Sequence, residues 1–369
     1  MNFCFAVLQL AFAVSARFRS NHKAIKTLNL EPFADLTSAC SVTTWVDLDA
    51  CLKTTNIIIN NLAVPAGKTL DLTSLRPGTH IAFEGSTTFG SASWAGPLIS
   101  IAGYNIQVTG TGILDGEGAQ LWDGKGSNGG KQKPGFFQTI NLRYSSINGI
   151  TVRNSPAQVF QIYQSDHVTI SGVTIDNRAG SLLARNTDGF ITGSSQHVTI
   201  SHCVIFNQDD CVAIVSGSDI LITNLYCDGG HGLSIGSIGG KRNNVVRNVR
   251  FEHSTVINSQ NAARIKTNYG TIGSVTNATW TDIILSNISN YGIDIQQNYL
   301  NDGSKRKPTN GVNITDITMH NITGTVQNKA IPVYILCGTG SCSNFKFDQI
   351  NIRGGSHSSC NIPVPGSGC

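Results

Sequence analysis

The sequence predicts an all-β solenoid, a parallel β-helix, and three observations carry that expectation. Only 13% of the 369 residues are charged while 39 are glycine, a composition suited to short strands and tight turns rather than helices. Short alternating β-branched runs return from Ile57 onward. His167–Asn177 and His197–Asn207 both open His-Val-Thr-Ile-Ser and lie 30 residues apart, and related runs begin at Asn105, Ile147, Asp219, Asn244, Thr279, Gly311 and Asn344. The repeat, roughly 20 to 35 residues and poor in Trp, is shorter than the ~40 residues of a propeller blade. Stacked coils therefore fit better than blades. Each coil would give two to four short strands to long parallel sheets, with inward Val and Ile stacked on their equivalents in the next coil. Turn asparagines such as Asn177 and Asn207 would link coil to coil.

Taken in order, residues 1–16 read as a secretory signal, an apolar core followed by the small-residue site Val14-Ser15-Ala16. Residues 17–39 carry four basic and two acidic residues, no strand pattern and no cysteine, as a pro-segment or disordered leader would. Residues 40–369 form one domain, because no Pro/Gly-rich linker divides them. Within Thr43–Thr54, the spacing of Trp45, Val46, Leu48, Cys51 and Leu52 is helical, and a short helix there would cap the otherwise unpaired first coil. Gly116–Pro134 and Tyr299–Pro308 lose the strand pattern and are expected as loops beside the sheets. No apolar run reaches the 18 or so residues of a membrane span.

Ten cysteines fit an oxidising, secreted setting. Cys4 leaves with the signal. Eight others lie in close couples, Cys40 and Cys51, Cys211 and Cys227, Cys337 and Cys342, Cys360 and Cys369, with Cys203 left over. None has His or CxxC partners at zinc spacing. Asn277, Asn287, Asn313 and Asn321 are N-glycosylation sequons, each open to two readings: a glycan site or an ordinary strand-edge Asn. Loss of residues 1–39 takes the formal charge from +4 to +2. A chain so close to neutral is no general binder of nucleic acid or other polyanions, so any basic site must be local.

Function concentrates between Asn186 and Gly232. Asp188 to Asp209 is 21 residues and Asp210 to His231 is 21 again, with Arg264-Ile265-Lys266 beyond and Tyr299 a further 33 residues from Lys266. Coils of a parallel sheet lie ~4.8 Å apart, so residues at the repeat interval should form one column: Asp188, Asp209 or Asp210, then His231. Carboxylates so close cannot all ionise freely, and one should hold a proton near neutrality. A protonated acid beside ionised ones is what glycoside hydrolysis requires. Two other readings compete. The acids could hold Ca²⁺, although a His, an Arg and a Lys in the same column argue against a cation there, or they could simply cap turns. Arg264 and Lys266, two apart, face one side of a strand, a fork and a point charge suited to a sugar bearing a carboxylate. The glycines beside His231 suit a tight turn or close approach.

Asn186-Thr187-Asp188, Gln208-Asp209-Asp210, Gly230-His231-Gly232 and Arg264-Ile265-Lys266, in this order and spacing, resemble the four signature segments of the polygalacturonase family of glycoside hydrolases. The stretches Asp209–Ile214, Gly229–Ser237, Tyr291–Leu300 and Ile335–Cys342 resemble its fungal-type endo-acting members. The likeness covers Cys40 to Cys369. It implies a right-handed β-helix and inverting, endo-acting hydrolysis of α-1,4 bonds in polygalacturonate, with no metal or other cofactor. It implies Asp209 as general acid, Asp188 and Asp210 as the pair activating water, and His231 as tuning the acid. Arg264, Lys266 and Tyr299 would hold galacturonate, with Asn186 and Gln208 lining the site. It also implies disulfides within the four close cysteine couples, leaving Cys203 a buried thiol. A secreted extracellular monomer acting on pectin is expected, with no nucleic-acid or membrane partner and with plant inhibitor proteins as further partners. The segment before Cys40 lacks the dibasic processing site common in fungal-type members. Rival functions are an exo-acting polygalacturonase, a non-catalytic pectin-binding homologue, which should have lost an acid or the His, and a calcium-dependent pectate lyase.

Overall fold

The computed structural model describes residues 38–301, 303 and 306–369. The expected signal and all but the last two residues of the expected leader lie outside the described residues. From Cys40 onward the chain winds as a parallel β-helix, in which every strand pairs in parallel with its counterpart one coil away. Parallel crossovers are right-handed almost without exception.

Each coil runs through three sheets. One inward position of the first sheet shows how the sequence builds the core: Ile57, Ile81, Val108, Ile147, Ile170, Ile200, Ile222, Phe251, Trp280, Met319 and Phe347 stack in register, one per coil. All are buried. The repeating pattern from Ile57 onward is this column. In the third sheet, Phe137, Phe160 and Phe190 stack with ring centroids 5.1 Å apart at both steps, the offset geometry aromatic pairs favour.

The polar residues that end each run have a physical reason. Coil corners require a left-handed backbone, and His167, His197, Asp219, Asn248, Asn277, Asp282 and Asn321 adopt φ between 50° and 59°. Asn, Asp and His tolerate that region better than other side chains with a Cβ. In the later coils the first and second sheets fuse into single long strands, such as Gly273–Ile288 and Val312–Val326.

The N-terminal cap is a 3₁₀ turn, Trp45–Asp47, leading into a single α-helical turn, Leu48–Cys51. Asp47 Oδ2 accepts from the backbone N–H and hydroxyl of Thr44, each at 2.8 Å. Disulfides join Cys40 to Cys51, Cys211 to Cys227, Cys337 to Cys342 and Cys360 to Cys369, and Cys203 is a buried free thiol whose pKa burial pushes up to about 11. Three of the four sequon asparagines serve as rungs between coils. Asn277 donates to Asn248 at 3.0 Å, Asn287 to Asn258 at 2.9 Å and Asn321 to Asp282 at 2.7 Å. Asn313 is exposed and has no such rung among the described residues.

Candidate active site

The site lies over the third sheet, in a groove of about 740 Å³. Its floor is made by the turns that enter strands Phe190–Gly193, Val212–Ile214 and Leu233–Ile238 and by strand Asn261–Asn268. Register decides which residues meet. Val212 pairs with Phe190 and Gly189 N–H donates to the Asp210 carbonyl at 2.9 Å, so Asp210, not Asp209, continues the row of Asp188. Asp209 stands one residue off that row, and its neighbour is the imidazole of His231, whose Nδ1 is 3.0 Å from Asp209 Oδ1.

The turn bearing both acids is pinned from beneath. Asn207 Nδ2 donates to the carbonyls of Thr187, Asp209 and Asp210 at 2.9, 3.0 and 2.9 Å. Asp209 Oδ1 accepts the Asp210 N–H at 2.8 Å, and its Oδ2 accepts from Asn186 at 2.9 Å. The disulfide at Cys211 ties the start of the next strand to strand Tyr226–Asp228. Gly230 and Gly232 permit the approach that the flanking of His231 suggested. A Cβ on Gly230 would stand 2.3 Å from the Asp209 carbonyl, and on Gly232, where φ is +94°, 2.3 Å from the Asn261 carbonyl.

The three carboxylates are in different electrical surroundings. Asp210 is 2% exposed at its side chain and held at both oxygens: Lys266 Nζ donates to Oδ2 and Ser234 Oγ to Oδ1, each at 2.6 Å. Asp188 has no side-chain hydrogen bond among the described residues. Burial, then the charges of Asp209 and Asp210, push its pKa well up, and Lys266 offsets this only in part. Burial also works to raise Asp209, but the hydrogen bond and charge of His231 outweigh it and hold the carboxyl well below its usual range. Thus a proton is favoured on Asp188, while Asp209, beside the His231 imidazole, is held as the carboxylate.

Beyond the acids, Arg264 registers with Asp294 at the 30-residue interval and donates Nε to its Oδ2 at 3.0 Å. Asp294 is fully buried; burial pushes its pKa up while Arg264 pulls it back. The Arg264 side chain is 13% exposed and that of Lys266 8%, so neither is a solvated surface charge. The 33-residue step to Tyr299 is not a register step. Lys266 pairs with Gln296 and Asn268 with Tyr299 across a register shift, yet the Tyr299 ring still stands 5.4 Å from the Arg264 guanidinium and 5.5 Å from Lys266 Nζ.

Asn186 and Gln208 line the groove, and both are also structural. Gln208 bonds to Thr187 and the Asn177 carbonyl. Asn186 Oδ1 accepts the Ser127 N–H at 2.9 Å, docking the Gly116–Pro134 loop against the site. That loop meets the one after Tyr299 where Asn301 Nδ2 donates to Asn128 Oδ1 at 3.1 Å. The sequence reading missed Ser234, Asp294 and Asn207 as site-building residues. Asp294 had a signal, since it lies one repeat beyond Arg264. It also missed Lys125, Arg185 and Lys241, which come from loops and turns outside the repeat register and had none.

A metal is poorly accommodated. Ligand atoms of Asp209, Asp210 and His231 lie within 4.8 Å of one another, but Lys266 already places a cation 2.6 Å from Asp210, which would repel a second.

A parallel β-helix with a groove of paired carboxylates flanked by cations suits a polysaccharide hydrolase. The chain belongs to glycosyl hydrolases family 28, whose sequence model matches residues 54–369. It is 50% identical over 345 residues to a probable endopolygalacturonase B of Aspergillus fumigatus, covering 92% of this chain and 94% of that one. It is 52% identical over 317 residues to endopolygalacturonase B of Aspergillus niger, covering 85% and 87%. Among solved structures it is similar to endopolygalacturonase I of Stereum purpureum complexed with two galacturonates, with a TM-score of 0.80 and 36% identity over 86% of this chain and 96% of that one.

Proposed function

We propose that the protein is an endo-acting polygalacturonase that hydrolyses α-1,4 bonds of de-esterified pectin with inversion. The observation that carries the reading is three carboxylates in one groove, Asp188, Asp209 and Asp210, with cations on both sides of them. Lys125 and Arg185 lie on the N-terminal side, and Lys241, Arg264 and Lys266 on the C-terminal side. A polyanionic chain laid across the acids meets positive charge before and after the cleavage point, as internal attack requires.

In this reading the proton first held by Asp188 passes to Asp209, beside His231, which gives it to the glycosidic oxygen as its bond to C1 breaks. Water attacks C1 from the opposite face and loses a proton to the Asp188/Asp210 pair. Lys266 and Ser234 hold Asp210 in place at both oxygens. The raised pKa of Asp188 makes its carboxylate the stronger base. Arg264, Lys266 and Tyr299 surround the sugar next to the cleaved bond. The raised pKa of Asp188 also favours a second assignment, with Asp188 as donor and Asp209 orienting water. A substrate with an activated aryl leaving group separates the two, since it needs little protonation. The variant lacking the acid should recover much of its rate on it, and Asp209→Asn is expected to recover where Asp188→Asn does not.

We further propose that residues 1–16 are a signal, that residues 17–39 are a leader, and that residues 40–369 act outside the cell as a monomer. One chain supplies every site residue named here, and no helix among the described residues is long and apolar enough to cross a membrane. Plant inhibitor proteins are proposed as partners on the family resemblance.

The test of the reaction is purified protein with polygalacturonate in EDTA. Reducing ends should rise with no absorbance from unsaturated uronates, viscosity should fall early, and the new ends should appear as the inverted anomer by NMR. Calcium-dependent unsaturated product, or release of terminal monomer with viscosity preserved, would replace this reading with a lyase or an exo-acting enzyme.

A further inference from the structure

Five cations line the groove, and two have carboxylate partners, Lys266 with Asp210 and Arg264 with Asp294. Lys241 has none in ion-pair contact among the described residues. Its position is built rather than floppy. Asn244 Oδ1 accepts the N–H groups of Gly239 and Lys241 at 3.1 and 3.0 Å, and Asn244 Nδ2 donates to the Lys241 carbonyl at 2.6 Å. The ammonium turns back onto the groove wall, donating to the Ser237 carbonyl and standing 3.5 Å from its hydroxyl. There, partial burial and then the like charge of Lys266 hold its pKa below that of an ordinary lysine.

We infer that Lys241 is a uronate-carboxylate site of the groove, separate from Lys266, whose ammonium serves Asp210. The inference rests on the polygalacturonate reading above. An ammonium with no carboxylate partner, on the groove wall beside a second ammonium, is an electrostatic cost that an incoming carboxylate removes and a neutral or methyl-esterified sugar does not. Because Lys241 lies outside the acid trio, its contact should form equally in ground and transition states. Its loss should therefore appear in KM and spare kcat.

The experiment compares wild type, Lys241→Gln and Lys241→Arg on polygalacturonate and on pectin about half methyl-esterified, at low and high salt. Lys241→Gln is expected to raise KM on polygalacturonate by roughly ten- to a hundred-fold, the range for a lost charge-assisted hydrogen bond, with kcat within about threefold. The penalty should shrink with esterification and with salt, and Lys241→Arg should recover most of it. An unchanged KM in Lys241→Gln overturns the inference while leaving the proposed function intact, as does an equal fractional loss on both substrates. A Lys241→Arg enzyme as weak as Lys241→Gln overturns it too. Wild type inert on polygalacturonate removes the proposed function and this inference with it.

Discussion

Asp166, His167 and His197 at one corner of the solenoid, and Asp209, Asp210 and His231 in its groove, are made of the same residue types. In each group the ligand atoms come within 4.8 Å of one another. At the corner, one carboxylate oxygen of Asp166 accepts from Nδ1 of both histidines, at 2.8 and 2.9 Å. The two rings stack 4.2 Å apart, with Tyr144 stacked on His167 at 4.5 Å. The histidine side chains are 43% and 45% exposed; water is at hand for whatever the cluster leaves unpaired. In the groove, three carboxylates converge on one ammonium and one imidazole, and Asp210 and Lys266 are almost wholly buried. Polar residues repeated at the coil interval therefore report register and nothing more. Burial, and more like charges than partners to neutralise them, make one of the two groups reactive.

The largest test of that contrast is catalytic. Asp188→Asn, Asp209→Asn and Asp210→Asn each keep shape while removing a charge or proton. Each should lower kcat on polygalacturonate by at least ~10²–10⁴-fold, with the far-UV spectrum of the folded β-helix retained. Asp166→Asn, the same chemical change at the corner, should leave kcat within about twofold, since surface changes away from special features are nearly neutral. A folded Asp209→Asn enzyme with near-normal turnover would remove the chemistry from the groove.

Lys266 sharpens the comparison next, because its partner is a buried acid. Burial alone would lower its pKa, but Asp210 opposes that and the net shift is upward; the ammonium is held charged by the carboxylate. Lys266→Met leaves Asp210 buried without its counter-ion, a change that typically costs about 3–5 kcal/mol. Urea unfolding should show a loss of that order. In kinetics, kcat should fall alike on de-esterified and half-esterified substrate, because the residue lost serves the acid. A loss confined to KM and to charged substrate would instead make Lys266 a reader of the substrate's carboxylate.

How much of this was legible in the sequence follows from what strand periodicity encodes. The inward column and the coil corners repeat because each coil faces the same packing and the same left-handed turn, so Ile170 and Ile200, or His167 and His197, announce themselves as near copies. The Asp188–Asp210–His231 row was visible for the same reason, and Asp294 could have been found one repeat past Arg264. The partner of His231 was not, since the choice between Asp209 and Asp210 depends on where the side chains of one tight turn point. Nor was the role of Lys266: two apart on a strand shows that it shares a face with Arg264, not that Asp210 lies 2.6 Å away. Lys241 owes its place to the Asn244 clamp in a loop whose sequence repeats nowhere.

The smallest expected effect is on stability, and there the two clusters should differ in sign. The folded-state pKa of Asp188 is raised, first by burial and then by the neighbouring acids. Below the unfolded-state value, near 3.9, the group is protonated in both states and its native contribution is fully present. As pH rises through the folded-state pKa, a buried carboxylate must ionise and that stability is lost. Asn is neutral throughout, so Asp188→Asn should melt with wild type in acid and above it near pH 7. The pKa of Asp166 is lowered; burial opposes this, and hydrogen bonds from His197, Gln196 and His167 prevail. Its contribution is present above the unfolded-state value and lost as pH falls through the folded one. Asp166→Asn should therefore melt below wild type above about pH 4, where the carboxylate is ionised. The difference should stay within about 1 kcal/mol, as for other exposed ion pairs, and close toward strong acid. Melting curves of both variants across pH 3–8 check the pair of signs. An Asp188→Asn protein less stable than wild type at neutral pH would mean that the groove stabilises that carboxylate as fully as the corner stabilises Asp166.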